Sequence, residues 1–267
     1  MELKVESSCV GCGKCVKDCP VGVLEMKDGR PAVREGKGGQ CMNCQHCLAV
    51  CPEGALAVNG VGAGDCRPLS QMPIPPPNEL ANLLMSRRSV RQFAHVNVPR
   101  ADIEEILEAL KYVPTGCNIR HLVFSVVGDV AKMDDLRRRV VAALDSHGDA
   151  IPDFLKGPLA AAKKNPSCDP FFRNAPHLLL VKGDPSAVTP LVDCAAACAY
   201  FDLLAQTHGL GVTWCGFPQP IVDAAPEVRD LFGIPRNAPF YAMMFGEPVV
   251  DYVRCVNRSA GARVEWL

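Results

Sequence analysis

Residues 9–20 read Cys9-Val10-Gly11-Cys12-Gly13-Lys14-Cys15-Val16-Lys17-Asp18-Cys19-Pro20, and residues 41–52 read Cys41-Met42-Asn43-Cys44-Gln45-His46-Cys47-Leu48-Ala49-Val50-Cys51-Pro52. Both are C-x2-C-x2-C-x3-C-P, and a single offset of 32 residues carries each cysteine of the first run onto the second. The same offset maps Gly22 onto Gly54 and Leu24 onto Leu56. Eight of the 15 cysteines lie in these runs, and the other seven scatter from Cys66 to Cys255. Three thiolates spaced three residues apart are aimed inward by one short loop, so a fourth ligand has to come from elsewhere in the chain. Zinc sites and free thiols are the plainer alternatives. Zinc, however, usually takes two separated C-x2-C pairs, without two triplets each trailed by Cys-Pro.

The run matches the pattern that holds cubane iron–sulfur clusters in pairs, in which the fourth cysteine serves the other cluster. Over about 60 residues this half resembles bacterial two-cluster ferredoxins. The pattern assigns Cys9, Cys12, Cys15 and Cys51 to one 4Fe-4S cluster, and Cys41, Cys44, Cys47 and Cys19 to a second. Gly11 and Gly13 permit tight turns that point backbone N–H groups at sulfur. Pro20 and Pro52 fix the chain direction on leaving each cluster. Residues 1–67 carry eight basic and eight acidic side chains. Two oxidised clusters with their thiolates would bring this neutral segment to about −4. Lys14 and Lys17 either offset part of that charge or are solvated surface lysines. His46, inside the second triplet, either tunes its cluster or lies on the surface.

The chain has 267 residues, of which 48% are hydrophobic and 21% charged, with a net charge of −1. That balance argues against disorder and gives no footprint for nucleic acid. No apolar run approaches the ~18 residues of a membrane span. The opening MELKVESSC shows no secretory apolar segment, so a cytoplasmic protein is expected. In that reducing compartment the cysteines are metal ligands or small buried apolar groups, without a disulfide framework.

Five of the ten residues in 68–77, PLSQMPIPPP, are proline. Such a run favours an extended, semi-rigid form over a helix. It is read with Asn78 as a linker, 68–78, between a first domain, 1–67, and a second, 79–267. In the second domain, apolar spacing predicts helices over 79–89, 101–112, 132–145, 190–208 and near 221–232, and strands over 122–129, 178–184 and 240–246. The fold class expected is α+β or α/β.

Three stretches of this domain carry candidate chemistry. Arg87-Arg88-Ser89-Val90-Arg91 places three arginines and a hydroxyl where they can clamp a phosphate; an exposed basic helix end is the bland alternative. In Pro114-Thr115-Gly116-Cys117-Asn118-Ile119-Arg120, Asn118 offers both a donor and an acceptor, which suits the edge of an isoalloxazine ring. An ordinary polar loop explains it equally. In Gly209-Leu210-Gly211-Val212-Thr213-Trp214-Cys215-Gly216, Gly209 can simply cap a helix, and Gly216 lets backbone approach a planar ligand.

Taken in order, R-R-S-x-R-x-F, P-T-G-x-N-x-R and G-L-G-V-T-W-x-G resemble the FMN-dependent nitroreductase family. So do Gly233-Ile234-Pro235, Phe245-Gly246-Glu247-Pro248 and the tail Arg258…Val264-Glu265-Trp266. The layout with a fused ferredoxin resembles a subgroup of that family from anaerobic organisms. The resemblance implies an α+β fold, in which a nitroreductase-like FMN domain follows a small two-cluster ferredoxin-like domain. It implies a homodimer with FMN at the subunit interface and the Ala-rich helix 190–208 packed there. Arg87, Arg88, Ser89 and Arg91 match the segment that holds the FMN phosphate and ribityl chain. Thr115, Cys117, Asn118 and Arg120 fall in the segment at the flavin ring. Trp214, Cys215 and Gly216 match the backbone reaching flavin N5, and Arg258 matches a basic residue near the phosphate. Many relatives have Gln where Arg120 stands, and Ser-Ser or Ser-Ala in place of Thr115-Gly116. These departures bear on substrate class more than on FMN.

Cys194 and Cys198 are read as buried apolar groups, His177 and His208 as structural histidines, and Phe171-Phe172 as packing or a cover for the site. No side chain stands out as a general acid. The function expected is an oxidoreductase passing electrons from two clusters to FMN and on to a small organic acceptor: a nitro compound, quinone, activated alkene or flavin. The donor would be a reduced ferredoxin. One alternative takes electrons from NAD(P)H at FMN, with the clusters as an outlet or store. Another, of a different class, is a non-catalytic carrier or redox sensor.

Overall fold

The computed structural model describes residues 1–267. It divides into two units, Met1–Pro75 with Cys117–Ile119, and Pro76–Gly116 with Arg120–Leu267.

In the first unit the cysteine repeat becomes a structural repeat. Strand β1 (Leu3–Val5) leads to helix α1 (Lys14–Lys17), then to the hairpin β2 (Leu24–Lys27) and β3 (Arg30–Val33). Helix α2 (His46–Ala49) then leads to β4 (Leu56–Val58) and the short β5 (Val61–Gly62). β1, β4 and β5 form one antiparallel sheet, and β2 and β3 form another. Leu24, Leu56 and Val58 bury a small core together with Cys15 and Cys47. So small a core needs a further source of stability, which bound metal supplies in such domains.

The proline run 68–77 contains one 3₁₀ turn, Leu69–Gln71, and its last proline opens a helix, α3 (Pro77–Ser86). The sequence reading placed that helix two residues later. It treated proline as a breaker, whereas at the first helical position proline lacks only an N–H that would have no partner.

The second unit is a four-stranded antiparallel sheet between two helical layers. Its strands are β6 (Val123–Val127), β7 (His177–Lys182), β8 (Gly211–Cys215) and β9 (Phe240–Gly246), in the order β6-β7-β9-β8. β7 is buried along its whole length. Leu178 and Leu180 face one core and Leu179 and Val181 the other, the alternation of a strand covered on both faces. The first core is covered by α5 (Val130–Ser146), α6 (Asp153–Lys164), α8 (Pro218–Ala224) and α9 (Val228–Leu231). The second is covered by α4 (Arg100–Ala109) and α7 (Pro190–Thr207).

α7 buries Cys194, Ala197, Cys198, Phe201 and Ala205, one face at helical spacing. Burial pushes the thiols of Cys194 and Cys198 up to about 12, so both stay protonated and serve as packing. Gly209, at φ 72°, ends the helix. Leu210 N–H donates to the Ala205 carbonyl and Gly209 N–H to that of Gln206, so Gly209 is a helix cap. No helix is long and apolar enough to cross a membrane.

Candidate functional site

The first unit contains two cavities. One is lined by Cys9, Cys12, Cys15 and Cys51, with Lys14 and Pro52 at its rim. The other is lined by Cys41, Cys44, Cys47 and Cys19, with His46 and Pro20. The two repeats present their sulfurs with the same backbone chemistry. Val23 N–H donates to Cys19 Sγ at 3.3 Å, and its equivalent Ala55 N–H donates to Cys51 Sγ at 3.3 Å. Such bonds stabilise a thiolate over a thiol. Gly11 and Gly13 have φ of 67° and 70°, and their equivalents Asn43 and Gln45 have 50° and 62°. Glycine is required at 11, where a Cβ would lie 2.5 Å from the Gly29 carbonyl oxygen. The second repeat has no such close approach at position 43. Hence it tolerates Asn, which adopts left-handed backbone more readily than most residues. His46 is exposed, with Nδ1 3.5 Å from Asp18 Oδ2.

Nowhere do three Cys, His, Asp or Glu side chains converge tightly enough to hold a single metal ion. Zinc bonds of about 2.3 Å would require sulfurs within about 4 Å of one another. Four thiols arranged around a cavity instead fit a multinuclear cluster.

In the second unit, β8 and the segment after α3 build a cleft of about 350 Å³. Val90 N–H donates to the Val212 carbonyl at 3.0 Å, Thr213 Oγ1 donates back to the Val90 carbonyl, and Ser89 bridges to Val212. Gly211 makes this contact possible, since a Cβ there would sit 2.7 Å from the Val90 side chain. Arg91 thereby reaches the cleft beside Trp214, Cys215 and Gly216. A Cβ on Gly216 would meet nothing within 4 Å, so the backbone there has an open face. Burial drives the Cys215 thiol up to about 12, with Arg173 pulling weakly the other way.

Arg87 is already engaged. Its Nη1 lies 3.0 Å from Asp202 Oδ2, and Trp214 Nε1 donates to the same oxygen at 3.0 Å. Asp202, nearly buried in α7, thus fixes both the arginine segment and the indole. Arg88 and Arg91 have no carboxylate partner. Arg258 is exposed in the C-terminal segment, outside the cleft lining.

The loop 115–120 is held from below. Asp193 accepts from Gly116 N–H at 3.2 Å and from Thr189 Oγ1 at 3.0 Å, and its Oδ2 lies 3.6 Å from His121 Nε2. Gly116 is needed because a Cβ would come within 2.5 Å of Thr189 Oγ1. Thr115 Oγ1 accepts from Arg120 N–H at 3.0 Å. Cys117, Asn118 and Arg120 all have left-handed backbone, at φ 52°, 55° and 54°. Such strain persists only where the surroundings enforce it, and it concentrates at functional sites. Sequence reasoning missed Asp193, Asp202 and His121. Two aspartates in an otherwise apolar helix were a usable signal, because a buried Asp is rarely unpaired. Phe154 and Arg173 at the cleft were missed as well.

A layered α+β domain with a cationic cleft, joined to a domain with two four-cysteine cavities, defines a cofactor-bearing redox enzyme. Residues 84–247 match the model of the nitroreductase family, and residues 8–56 match that of a 4Fe-4S dicluster domain. The chain belongs to the nitroreductase family and is an oxidoreductase with a ferredoxin-type domain at its N-terminus. It is 26% identical to an Archaeoglobus fulgidus protein named as a candidate NADH dehydrogenase/NAD(P)H nitroreductase, over 62% of this chain and 83% of that one. A likewise named Methanothermobacter thermautotrophicus protein is 25% identical over 64% and 78%. Among solved structures, a Bacteroides fragilis nitroreductase with bound FMN is 26% identical. It covers 70% of this chain and 100% of its own, with a TM-score of 0.57. A Desulfitobacterium hafniense nitroreductase shares the fold at 22% identity and TM-score 0.55, over 71% of this chain and 100% of its own.

Proposed function

We propose that this enzyme takes electrons at its N-terminal domain and delivers them, through an FMN site in the second domain, to a small organic acceptor. Two bound 4Fe-4S clusters would supply one-electron transfer, and bound FMN would supply the exchange between single electrons and a hydride equivalent. The observation that carries the reading is the pairing of two four-cysteine cavities with a cleft whose arginines lack carboxylate partners.

Cys9, Cys12, Cys15 and Cys51 hold one cluster, and Cys41, Cys44, Cys47 and Cys19 the other. Arg88, Ser89 and Arg91 bind the FMN phosphate and ribityl chain, with Arg87 oriented by Asp202. Thr115 and Arg120 border the ring; Cys117 and Asn118, expected there, belong to the first unit, where Asn118 Nδ2 donates to the Met42 and Asn43 carbonyls at 3.0 and 3.2 Å. The backbone of Trp214, Cys215 and Gly216 lies against it, because Gly216 leaves that face open. Arg258 joins the phosphate contacts in a homodimer. α7 leaves Leu191, Val192 and Tyr200 exposed, a face suited to a second copy. Neither polar side chain at the back of the cleft is a ready proton donor. Thr213 is committed to Val90, and the Cys215 thiol holds its proton too tightly. Water is the proton source this reading assigns. The family's chemistry sets aside a purely non-catalytic carrier.

A second reading takes electrons from NAD(P)H at FMN, with the clusters as an outlet or store. It is favoured by the names of the archaeal relatives. An anaerobic absorbance titration of the cofactor-complete protein separates the two. Bleaching only by reduced ferredoxin supports entry at the N-terminal domain, whereas flavin bleaching first by NAD(P)H reverses the direction.

A further inference from the structure

The cleft at Gly216 has a wall that the FMN reading leaves unused. Phe154 from α6, Phe171 and Phe217 form an aromatic side, with Phe171 and Phe217 edge-to-face at 5.4 Å. Arg173 lies among them, and no aspartate or glutamate lines the cleft. The Arg173 guanidinium makes no ion pair and no hydrogen bond within the protein.

The backbone carrying Arg173 is elaborately fixed. Arg173 and Asn174 are both left-handed, at φ 53° each. Asp169 accepts from the N–H groups on either side of Arg173, from Phe172 at 2.8 Å and Asn174 at 2.9 Å. Asp169 is itself held by Arg137 Nε at 2.7 Å, and Arg137 also donates to the Ala175 carbonyl and pairs with Asp134. Asp169 shares Arg137 with Asp134, and no carboxylate lies within ion-pair distance of the Arg173 guanidinium. Left-handed backbone in two successive non-glycine residues persists only when the surroundings over-determine it. An exposed, unpaired arginine on a backbone fixed this way, beside three phenylalanines, is arranged to meet a planar aromatic group bearing an anion.

We infer that Arg173 selects the acceptor, and that this enzyme acts on aromatic compounds carrying a carboxylate or comparable negative group. This rests on the FMN reading of the same cleft and names its substrate class. Arg91 serves the cofactor, and Arg173 serves the acceptor.

The test is equilibrium binding of benzoate and of benzamide, equal in shape and different in charge, to the oxidised flavin-loaded holoenzyme. Perturbation of the flavin absorbance reports both. The expected result is benzoate at least tenfold tighter, a preference abolished in Arg173→Gln and partly kept in Arg173→Lys, with flavin content unchanged in both variants. Equal affinities, binding of neither compound, or loss of flavin from Arg173→Gln overturns the assignment. Wild-type protein that holds no flavin at all refutes the FMN reading itself, so the two failures are distinct.

Discussion

His177 is fully buried in β7, where its Nε2 accepts from Val98 N–H at 2.9 Å and its Nδ1 donates to the Val127 carbonyl at 3.1 Å. That arrangement needs the neutral ring, and burial lowers its pKa below the ordinary 6.5. The unfolded chain therefore binds a proton that the folded chain refuses. The resulting stability is present above about pH 6.5 and is lost as pH falls through the folded value. Denaturant unfolding between about pH 8 and pH 5 is expected to show stability falling with acid, and a shallower fall in His177→Gln. A second residue governs the cleft directly. Gly211→Ala drives a Cβ into Val90 and forces apart the two segments that present Arg91 and Gly216. The cost expected is about 1–3 kcal/mol, visible as a lower Tm and weaker flavin retention.

At the scale of elements, α7 is a structural strut and an anchor for the site at once. Asp202→Ala removes the acceptor shared by Arg87 and Trp214. Because Arg87 is a third exposed, the loss expected is only about 1–3 kcal/mol. Flavin affinity should fall with it, measured by equilibrium dialysis, while Asp202→Asn keeps part of both. The same scale shows where the sequence was legible. Strong periodicity located α4, α5, α7, β6, β7 and β9 to within a few residues. α6 was missed because Gly157-Pro158 reads as a breaker. The helix runs through it since Leu155 and Leu159 are buried on either side. β8 was missed because its five residues read as a glycine-bounded motif; only the pairing with β9 and the contact with Val90 make it a strand. The helix expected near 221–232 is two short helices separated at Pro226. The cleft motifs were readable as short local strings. Arg173 and Asp193 were not, because what surrounds them is distant in sequence: Phe154 and Gly216 beside the first, Gly116 and His121 beside the second.

At the scale of the whole molecule, the crossed ligand sets make a prediction that does not depend on the acceptor. Cys9→Ser and Cys51→Ser should each remove about half of the bound iron, and together no more than either alone. Cys9→Ser with Cys41→Ser should remove nearly all of it. Additive loss in the first pair would refute the crossed assignment; iron analysis with low-temperature spin resonance reads both. In solution the chain should sediment as a dimer, and charged residues at Leu191 and Val192 on the outer face of α7 should shift it to monomer. The crossing also bears on how the protein is made. As residues 9–19 leave the ribosome they present four thiols, of which three belong to one cavity and the fourth to the other. Neither lining is complete until the second repeat follows: the second cavity closes at Cys47 and the first only at Cys51. On the proposed ligand sets, a nascent chain halted between the repeats would present no complete set of four cysteines.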